Sequence, residues 1–280
     1  MQEINLEKVN SFISNFERVI EKPLLSKSKK YYVGIDLGTA VVVLAILDEN
    51  YMPVAGAYKY ANVVKDGMIV DYLGAIDIVK DMKKELEKKL GVSLAYAAAA
   101  LPPGTNELDG GVIKNVVSAS GFILTNLLDE PTAANNLLDI KNGAVVDIGG
   151  GTTGISILKN GKVIKTDDEA TGGIHFSLVI AGAKKTGLED AEIYKRESKN
   201  HNLIIPIVKP VIEKIANIIK KQIKGFDLSI IALVGGSCLL KDIENIIEKE
   251  IGIPCVKPKN PLFATPLGIA LSYKNKKEAG

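Results

Sequence analysis

Two aspartates in this chain stand where apolar runs end, and each is followed by glycine and then threonine. They lie in Gly34-Ile-Asp36-Leu-Gly38-Thr39 and in Asp147-Ile-Gly149-Gly150-Gly151-Thr152-Thr153-Gly154. Aspartate at such a turn can hold a magnesium ion through its water shell. Glycine brings backbone N–H groups close to phosphate oxygens, and threonine adds a hydroxyl. Residues 31–35 and 144–146 enter the turns, and residues 41–47 and 155–158 leave them. These runs are too short and too β-branched for helices, so both turns are expected to join hairpin strands. The dinucleotide fingerprint and the P-loop differ, because their glycines open a helix. Two such hairpins facing each other would grip a triphosphate from both sides.

The elements needed to position them follow from the hydrophobic pattern. Strands are expected near 31–35, 41–47 and 53–58, then a helix from about 73 to 90. An apolar run 95–101, a helix beginning near Thr105, a strand around 122–128 and a helix introduced by Pro131 complete the first cycle. A second cycle has strands near 144–147, 155–158 and 163–166 and helices near 174–185, 189–198 and 207–224. Strand 230–234 then leads into Gly235-Gly236-Ser237 and a helix reaching about Glu250. Alternation of this kind is α/β, and its repetition implies two similar domains with a cleft between them. Ahead of them, Leu6, Val9, Ile13, Phe16 and Ile20 recur at helical spacing, and residues 21–30 read as a linker. The expected division is 1–30 for the amphipathic helix and linker, 31–142 plus 263–280 for the first domain, and 143–262 for the second. The helix could dock on a partner or fold back on its own domain; folding back is favoured because it needs no partner.

The 280 residues carry 35 basic and 33 acidic side chains, a net charge of +2, which gives no bias toward nucleic acid or acidic membranes. Cys238 and Cys255 make neither a metal spacing nor a disulfide framework, so a reducing cytoplasm is expected. His175 and His201 build no zinc pattern with them. No stretch has the length of a membrane span.

The two turns resemble the phosphate motifs of the actin, sugar-kinase and DnaK-like heat-shock superfamily. Leu127-Leu-Asp-Glu130-Pro-Thr-Ala-Ala134 resembles the connecting helix of the DnaK-like chaperones, and Leu233-Val-Gly235-Gly236-Ser237 their adenosine motif. Asp66-Gly-Met-Ile-Val-Asp71, Asp168-Glu-Ala-Thr-Gly-Gly173, Tyr194-Lys-Arg196 and Thr265-Pro-Leu-Gly268 are similar to the EutJ family of ethanolamine-utilisation proteins, chaperone-like members of that superfamily encoded with a bacterial microcompartment. The resemblance implies an actin-like ATPase fold of two duplicated ribonuclease-H-like domains flanking a nucleotide cleft. It implies ATP or ADP with Mg2+ as cofactors. Asp36 and Asp147 would bind the metal through water and act with Glu130, which would orient an attacking water. Gly38, Thr39, Gly149, Gly150, Gly151, Thr152 and Thr153 would lie along the phosphates, and Gly172 and Gly173 beside ribose and phosphates. Gly235, Gly236 and Ser237 would flank adenosine, with Glu192, Lys195 and Arg196 on the helix contacting ribose and adenine. The implied partner is an ethanolamine-utilisation enzyme or microcompartment shell protein, met through residues 1–20 or elsewhere.

Departures from the chaperone pattern bear on turnover. Gly154 stands where DnaK-like proteins have aspartate, Lys65 is a candidate for their essential lysine by its place in sequence alone, Ala40 replaces a second hydroxyl, and Leu262 replaces an acidic residue. Loss of one polar group from a phosphoryl-transfer site can cost on the order of 10²-fold in rate, so binding with weak or no hydrolysis is expected, and Gly154→Asp is expected to raise turnover. The few residues beyond Gly268 leave no room for a peptide-binding domain, so a full DnaK cycle is not expected. The alternatives are an ATPase reactivating factor for a cobalamin-dependent lyase, an actin-like filament protein and a small-molecule kinase.

Overall fold

The computed structural model describes residues 4–25, 28–65 and 67–278. Residues 1–3 of the expected helix, Ser26 and Lys27 of the linker, Asp66 of the 66–71 motif and the last two residues lie outside the described residues. The chain opens with α1 (Leu6–Glu21). It continues through β1 (Tyr32–Leu37), β2 (Val41–Leu47), β3 (Pro53–Tyr60), the short hairpin β4 (Val64–Lys65) and β5 (Met68–Ile69), and α2 (Tyr72–Leu90). Then come β6 (Tyr96–Leu101), α3 (Glu107–Ala119), β7 (Ile123–Asp129) and α4 (Glu130–Leu138). The second cycle is β8 (Gly143–Ile148), β9 (Thr153–Lys159), β10 (Lys162–Glu169), α5 (Gly173–Lys184), α6 (Leu188–Arg196), α7 (His201–Gln222), β11 (Ile231–Val234), α8 (Ile243–Ile251) and β12 (Cys255–Val256). Helix α9 (Ala264–Glu278) ends the described chain.

Two sheets of the same topology result, with strand orders β3-β2-β1-β6-β7 and β10-β9-β8-β11-β12. In each, three antiparallel strands are followed by two parallel ones, which is the ribonuclease-H-like arrangement used twice. Every residue of β2 is buried, as expected of a strand covered on both faces. Helices α2 and α3 cover the outer face of the first sheet, while α5, α7 and α8 cover that of the second. Between the sheets, α1, α4 and α9 share one apolar core with β2, β8 and β11. There the backbones approach without intervening side chains: a Cβ on Gly268 of α9 would lie 2.0 Å from the Ala133 carbonyl oxygen of α4. A Cβ on Gly34 of β1 would lie 2.4 Å from the Pro266 carbonyl oxygen. Only glycine permits either contact.

Helix α1 folds back on the chain. Asn5 caps it by accepting from the Lys8 N–H at 2.9 Å, and Val9, Ile13, Phe16 and Val19 are buried. Val19 is buried beside them, and Ile20, partly exposed, packs against the same core near Gly56. Phe16 lies over Gly56 of β3 and meets Phe263 edge-on, centroids 5.2 Å apart. Asn10 accepts from the Lys259 N–H at 2.7 Å, and Glu17 accepts from the Asn260 side chain at 2.7 Å.

Two local expectations are corrected. Helix α7 begins at His201 and contains both Pro206 and Pro210, which sit on its exposed face, where carbonyls lacking an N–H partner are open to water. After Gly235 the chain makes a 3-10 turn (Gly236–Leu239), and α8 starts only at Ile243 because Asp242 is left-handed at φ 58°. Asn106 caps α3, while the Thr105 hydroxyl donates to the Pro102 carbonyl at 2.5 Å. For α1, we expect Phe16→Ala to lower the unfolding free energy by about 3–5 kcal/mol, as for other fully buried phenylalanines. Equilibrium denaturation of the whole chain measures this, and a change below about 1 kcal/mol would contradict the docking of α1.

Candidate functional site

Central strands β1 and β8 both end at the space between the sheets, carrying Asp36 and Asp147 there. The turns that follow close alike: the Gly38 N–H donates to the Val41 carbonyl at 3.1 Å and the Gly149 N–H to the Thr152 carbonyl at 2.9 Å. They face each other closely enough that a Cβ on Gly150 would lie 3.1 Å from the Thr39 Cβ. Asp36, Gly38, Thr39, Glu130, Asp147, Gly149, Gly150, Gly151 and Thr152 line one cleft, and Glu192, Lys195, Arg196, Gly235, Gly236 and Ser237 line its continuation.

Three expected residues do not. Thr153 is fully buried and its hydroxyl donates to the Thr171 carbonyl at 2.6 Å, because the alternation along β9 turns it away from the opening. Gly172 and Gly173 lie behind the second turn and brace it. The Gly173 N–H donates to the Gly149 carbonyl at 2.9 Å and the Ile174 N–H to the Gly150 carbonyl at 2.8 Å. Ser237 reinforces the same turn, its hydroxyl donating to the Gly149 carbonyl at 2.6 Å. Gly235, at φ +91°, has Asp147 Oδ1 2.2 Å from where a Cβ would sit, so a side chain there would collide with the carboxylate.

Glu130 is the first residue of α4, held by Asp129, whose side chain accepts the Thr132 N–H at 2.9 Å as the helix cap. Burial pushes Asp147 up to about 6, against the pull of a 2.5 Å hydrogen bond from the Thr265 hydroxyl. Burial, and then the nearby Asp147, push Asp36 up to about 8. Glu130 lies well above the usual carboxylate range, through burial first and then Asp147, Asp36 and Asp168. The lining residues include two cations, Lys195 and Arg196, and both pair with Glu192. The carboxylate end of the cleft is thus an acidic pocket that favours a divalent cation. Among the described residues no group of three or more His, Cys, Asp or Glu side chains could hold a metal directly. The donor set fits Mg2+ retained through its water shell, the mode in which this ion keeps several waters.

At the other end, Glu192 accepts from Lys195 at 2.7 Å, Ser177 at 2.5 Å and Arg196 at 3.1 Å. Burial works to raise the Glu192 carboxyl, and Lys195, Ser177 and Arg196 overcome it, leaving it below its ordinary value. Lys195 also donates to the Gly173 carbonyl at 2.9 Å, tying α6 to the brace. Arg196 stacks over the Tyr60 ring at 3.7 Å, bridging the second half of the chain to β3 of the first.

Tyr60 and Thr265 also line the cleft, and motif reading left them unassigned. Thr265 lay within a quoted motif, but nothing in the order of residues signalled Tyr60. Lys65 is exposed and absent from the cleft lining, so the candidate for the chaperone lysine is corrected. His175 accepts weakly from the Gly172 N–H at 3.4 Å, and Cys238 is buried, its thiol donating to the Val234 carbonyl at 3.0 Å. A Cβ on Gly154 would lie 3.0 Å from Pro103 and 3.4 Å from Pro131, so a carboxylate there would need those rings to yield by a few tenths of an ångström.

An acid whose folded pKa exceeds its unfolded value keeps its proton longer in the native state, so the unfolded state binds fewer protons and stability falls as pH rises through the folded pKa. For Asp36 that loss runs from the ordinary carboxylate range to about pH 8. Asp36→Asn is therefore expected to raise the thermal midpoint of ligand-free protein in chelator at pH 8.5, with the gain shrinking toward pH 4. Scanning fluorimetry across pH measures it, and no gain at pH 8.5 would contradict the electrostatics.

The family model for cell division protein FtsA matches residues 144–268, and that for MreB/Mbl protein matches residues 55–183. The ethanolamine utilization protein EutJ of Salmonella typhimurium is 44% identical over 248 residues, covering 88% of this chain and 87% of its own length. The Escherichia coli K12 protein of the same name is 43% identical over 248 residues, covering 88% of this chain and 87% of its own. The crystal structure of EutJ from Carboxydothermus hydrogenoformans matches with a TM-score of 0.89 at 44% identity, covering 95% of this chain and 99% of that one. MreB5 of Spiroplasma citri bound to ADP matches with a TM-score of 0.74 at 18% identity, over 90% of this chain and 98% of that one, a likeness of fold. With an actin-like fold and this identity along most of its length, the chain belongs to the EutJ family of ethanolamine utilization proteins.

Proposed function

We propose that this chain is an accessory protein of ethanolamine utilisation that binds Mg-ATP between its two halves and acts as a chaperone-like, nucleotide-dependent switch with weak or no hydrolysis. The observation that supports it is the pair of glycine turns from different sheets facing one cleft, each beside an aspartate, Asp147 buried and Asp36 partly so. Asp36 and Asp147 would hold Mg2+ through water. The turn N–H groups with Thr39 and Thr152 would take the β- and γ-phosphates, and Glu130 would orient a water. Gly235, Gly236, Glu192, Lys195 and Arg196 would flank the nucleoside, with Ser237 holding the second turn in place. When bound, the metal neutralises charge between phosphates and carboxylates, and without it the acidic wall repels a polyphosphate. Spiroplasma citri MreB5 structures, alike in fold, hold ADP and AMPPNP.

A ligand that touches both turns favours the closed arrangement, and one lacking the γ-phosphate favours it less. Tyr60 and Arg196 bridge the same opening, so they close with it. The partner that reads this angle is proposed to be an enzyme or shell protein of the ethanolamine microcompartment. The apolar stripe of α1 is covered by its own chain, so such a partner would meet the polar face of α1 or another surface.

Calorimetry with ATP and ADP, paired with phosphate release, tests the reading. Asp147→Ala is expected to lose magnesium-dependent affinity at least 100-fold, and unchanged affinity would reject the metal placement. Tyr60→Ala is expected to weaken Mg-ATP about 5-fold and to shrink the scattering difference between ATP- and ADP-loaded protein; equal differences would reject the bridge. Phosphate release stimulated by a cobalamin-dependent lyase would move the assignment to a reactivating ATPase, and ATP-dependent pelleting to a filament.

A further inference from the structure

His201, the first residue of α7, is buried and its side of the chain lines the same cleft as Glu192, Lys195 and Arg196. Its ring joins two elements that border that cleft. Nε2 lies 3.2 Å from the Lys195 carbonyl oxygen near the end of α6. Nδ1 accepts from the Lys241 N–H at 3.2 Å, just beyond the 3-10 turn that follows Gly235. A backbone N–H can only donate and a carbonyl can only accept, so Nδ1 is bare and Nε2 carries the proton. The two contacts therefore select one neutral form of the ring. Burial also disfavours the charged form and, with Lys257, holds His201 below the usual histidine range against the pull of the Lys195 carbonyl.

Each attachment is reinforced by its neighbours. Helix α6 ends at Arg196, so the Tyr194 and Lys195 carbonyls are among the last four, which have no partner within the helix. Asn200 donates to the first at 3.0 Å, and His201 takes the second. The Lys195 ammonium places its three donors on the Gly173 carbonyl, the Ser177 hydroxyl and the Glu192 carboxylate, so Lys195 is held by main chain and side chain alike. On the other side, the peptide between Leu240 and Lys241 is held at both edges. Its carbonyl accepts from Lys257 Nζ at 2.8 Å, and its N–H meets His201. The Leu240 N–H donates in turn to the Ser237 carbonyl at 3.3 Å, which connects this peptide to the glycine turn. The imidazole is thus a strut between α6, which carries Glu192 and Arg196, and the turn that carries Gly235, Gly236 and Ser237.

We propose that His201 is a positioning residue for the nucleoside: as a neutral ring protonated on Nε2, it sets the distance between α6 and the 235–237 turn, and so the width of the slot that takes base and ribose. This rests on reading the cleft as a nucleotide site. The hydrogen bonds of the ring reach neither phosphate turn, so it acts on ATP and ADP alike and leaves the magnesium dependence unchanged.

The whole chain is titrated calorimetrically with ATP and with ADP at several Mg2+ concentrations. His201→Phe keeps a planar ring but leaves the Lys195 carbonyl and the Lys241 N–H without their partner. It is expected to weaken both nucleotides by the same factor, about 10-fold, as lost buried hydrogen bonds do, with the ATP-to-ADP ratio and the magnesium dependence unchanged. His201→Gln, which retains a donor and an acceptor, is expected to recover most of that loss. Nitrogen-15 NMR of the ligand-free protein at neutral pH reads the tautomer directly; the chain has two histidines, and His175→Asn assigns their signals. A ring protonated on Nδ1, or on both nitrogens, overturns the proposal even if no variant folds. So does His201→Phe binding both nucleotides like wild type, a loss confined to ATP or to solutions containing magnesium, or a glutamine variant as weak as the phenylalanine one. Wild-type protein that takes up neither nucleotide overturns the reading of the cleft itself, a failure recognisable before any variant is made.

Discussion

Contact between α4 and α9 without an intervening side chain is the constraint on which the rest of this structure depends. Because Gly268 lies directly against the Ala133 backbone, the separation of the two halves is set by polypeptide thickness. The contact of Gly34 with Pro266 does the same between α9 and the first sheet. With both sheets held this way, the strands that end in Asp36 and Asp147 deliver their turns to the same space. Larger residues at these points would move the sheets apart, and the turns with them.

The cleft that results is electrostatically costly for the empty protein. Buried acids gather at one end, while the cations at the other are engaged by Glu192. Such an arrangement gives up stability in the free state and, on the proposed reading of the cleft, would regain it when a cation and an anion arrive together, a common relation between binding sites and folding. Thr265 moderates the cost for Asp147 from α9, the helix that also sets the spacing of the halves.

The fold and the phosphate turns were legible because their determinants are local. Alternating strand and helix patterns, an aspartate at a strand end and glycines in a turn are all written within a dozen residues. What could not be read depends on distant partners. Thr265 and Asp147 meet across 118 positions, and Tyr60 meets Arg196 only because β3 and α6 border one opening. Thr153 matched a motif, yet strand alternation turns its hydroxyl inward. The helix expected from 207 begins at His201, because Pro206 lies on its exposed face.

The hydrogen bonds from α1 to Lys259 and Asn260 span 249 and 243 positions. Helix α1 therefore acquires its full seat only after more than 240 further residues have been synthesised. Until then its apolar stripe, Phe16 included, has only part of its final cover, and the nascent chain carries an unfinished surface.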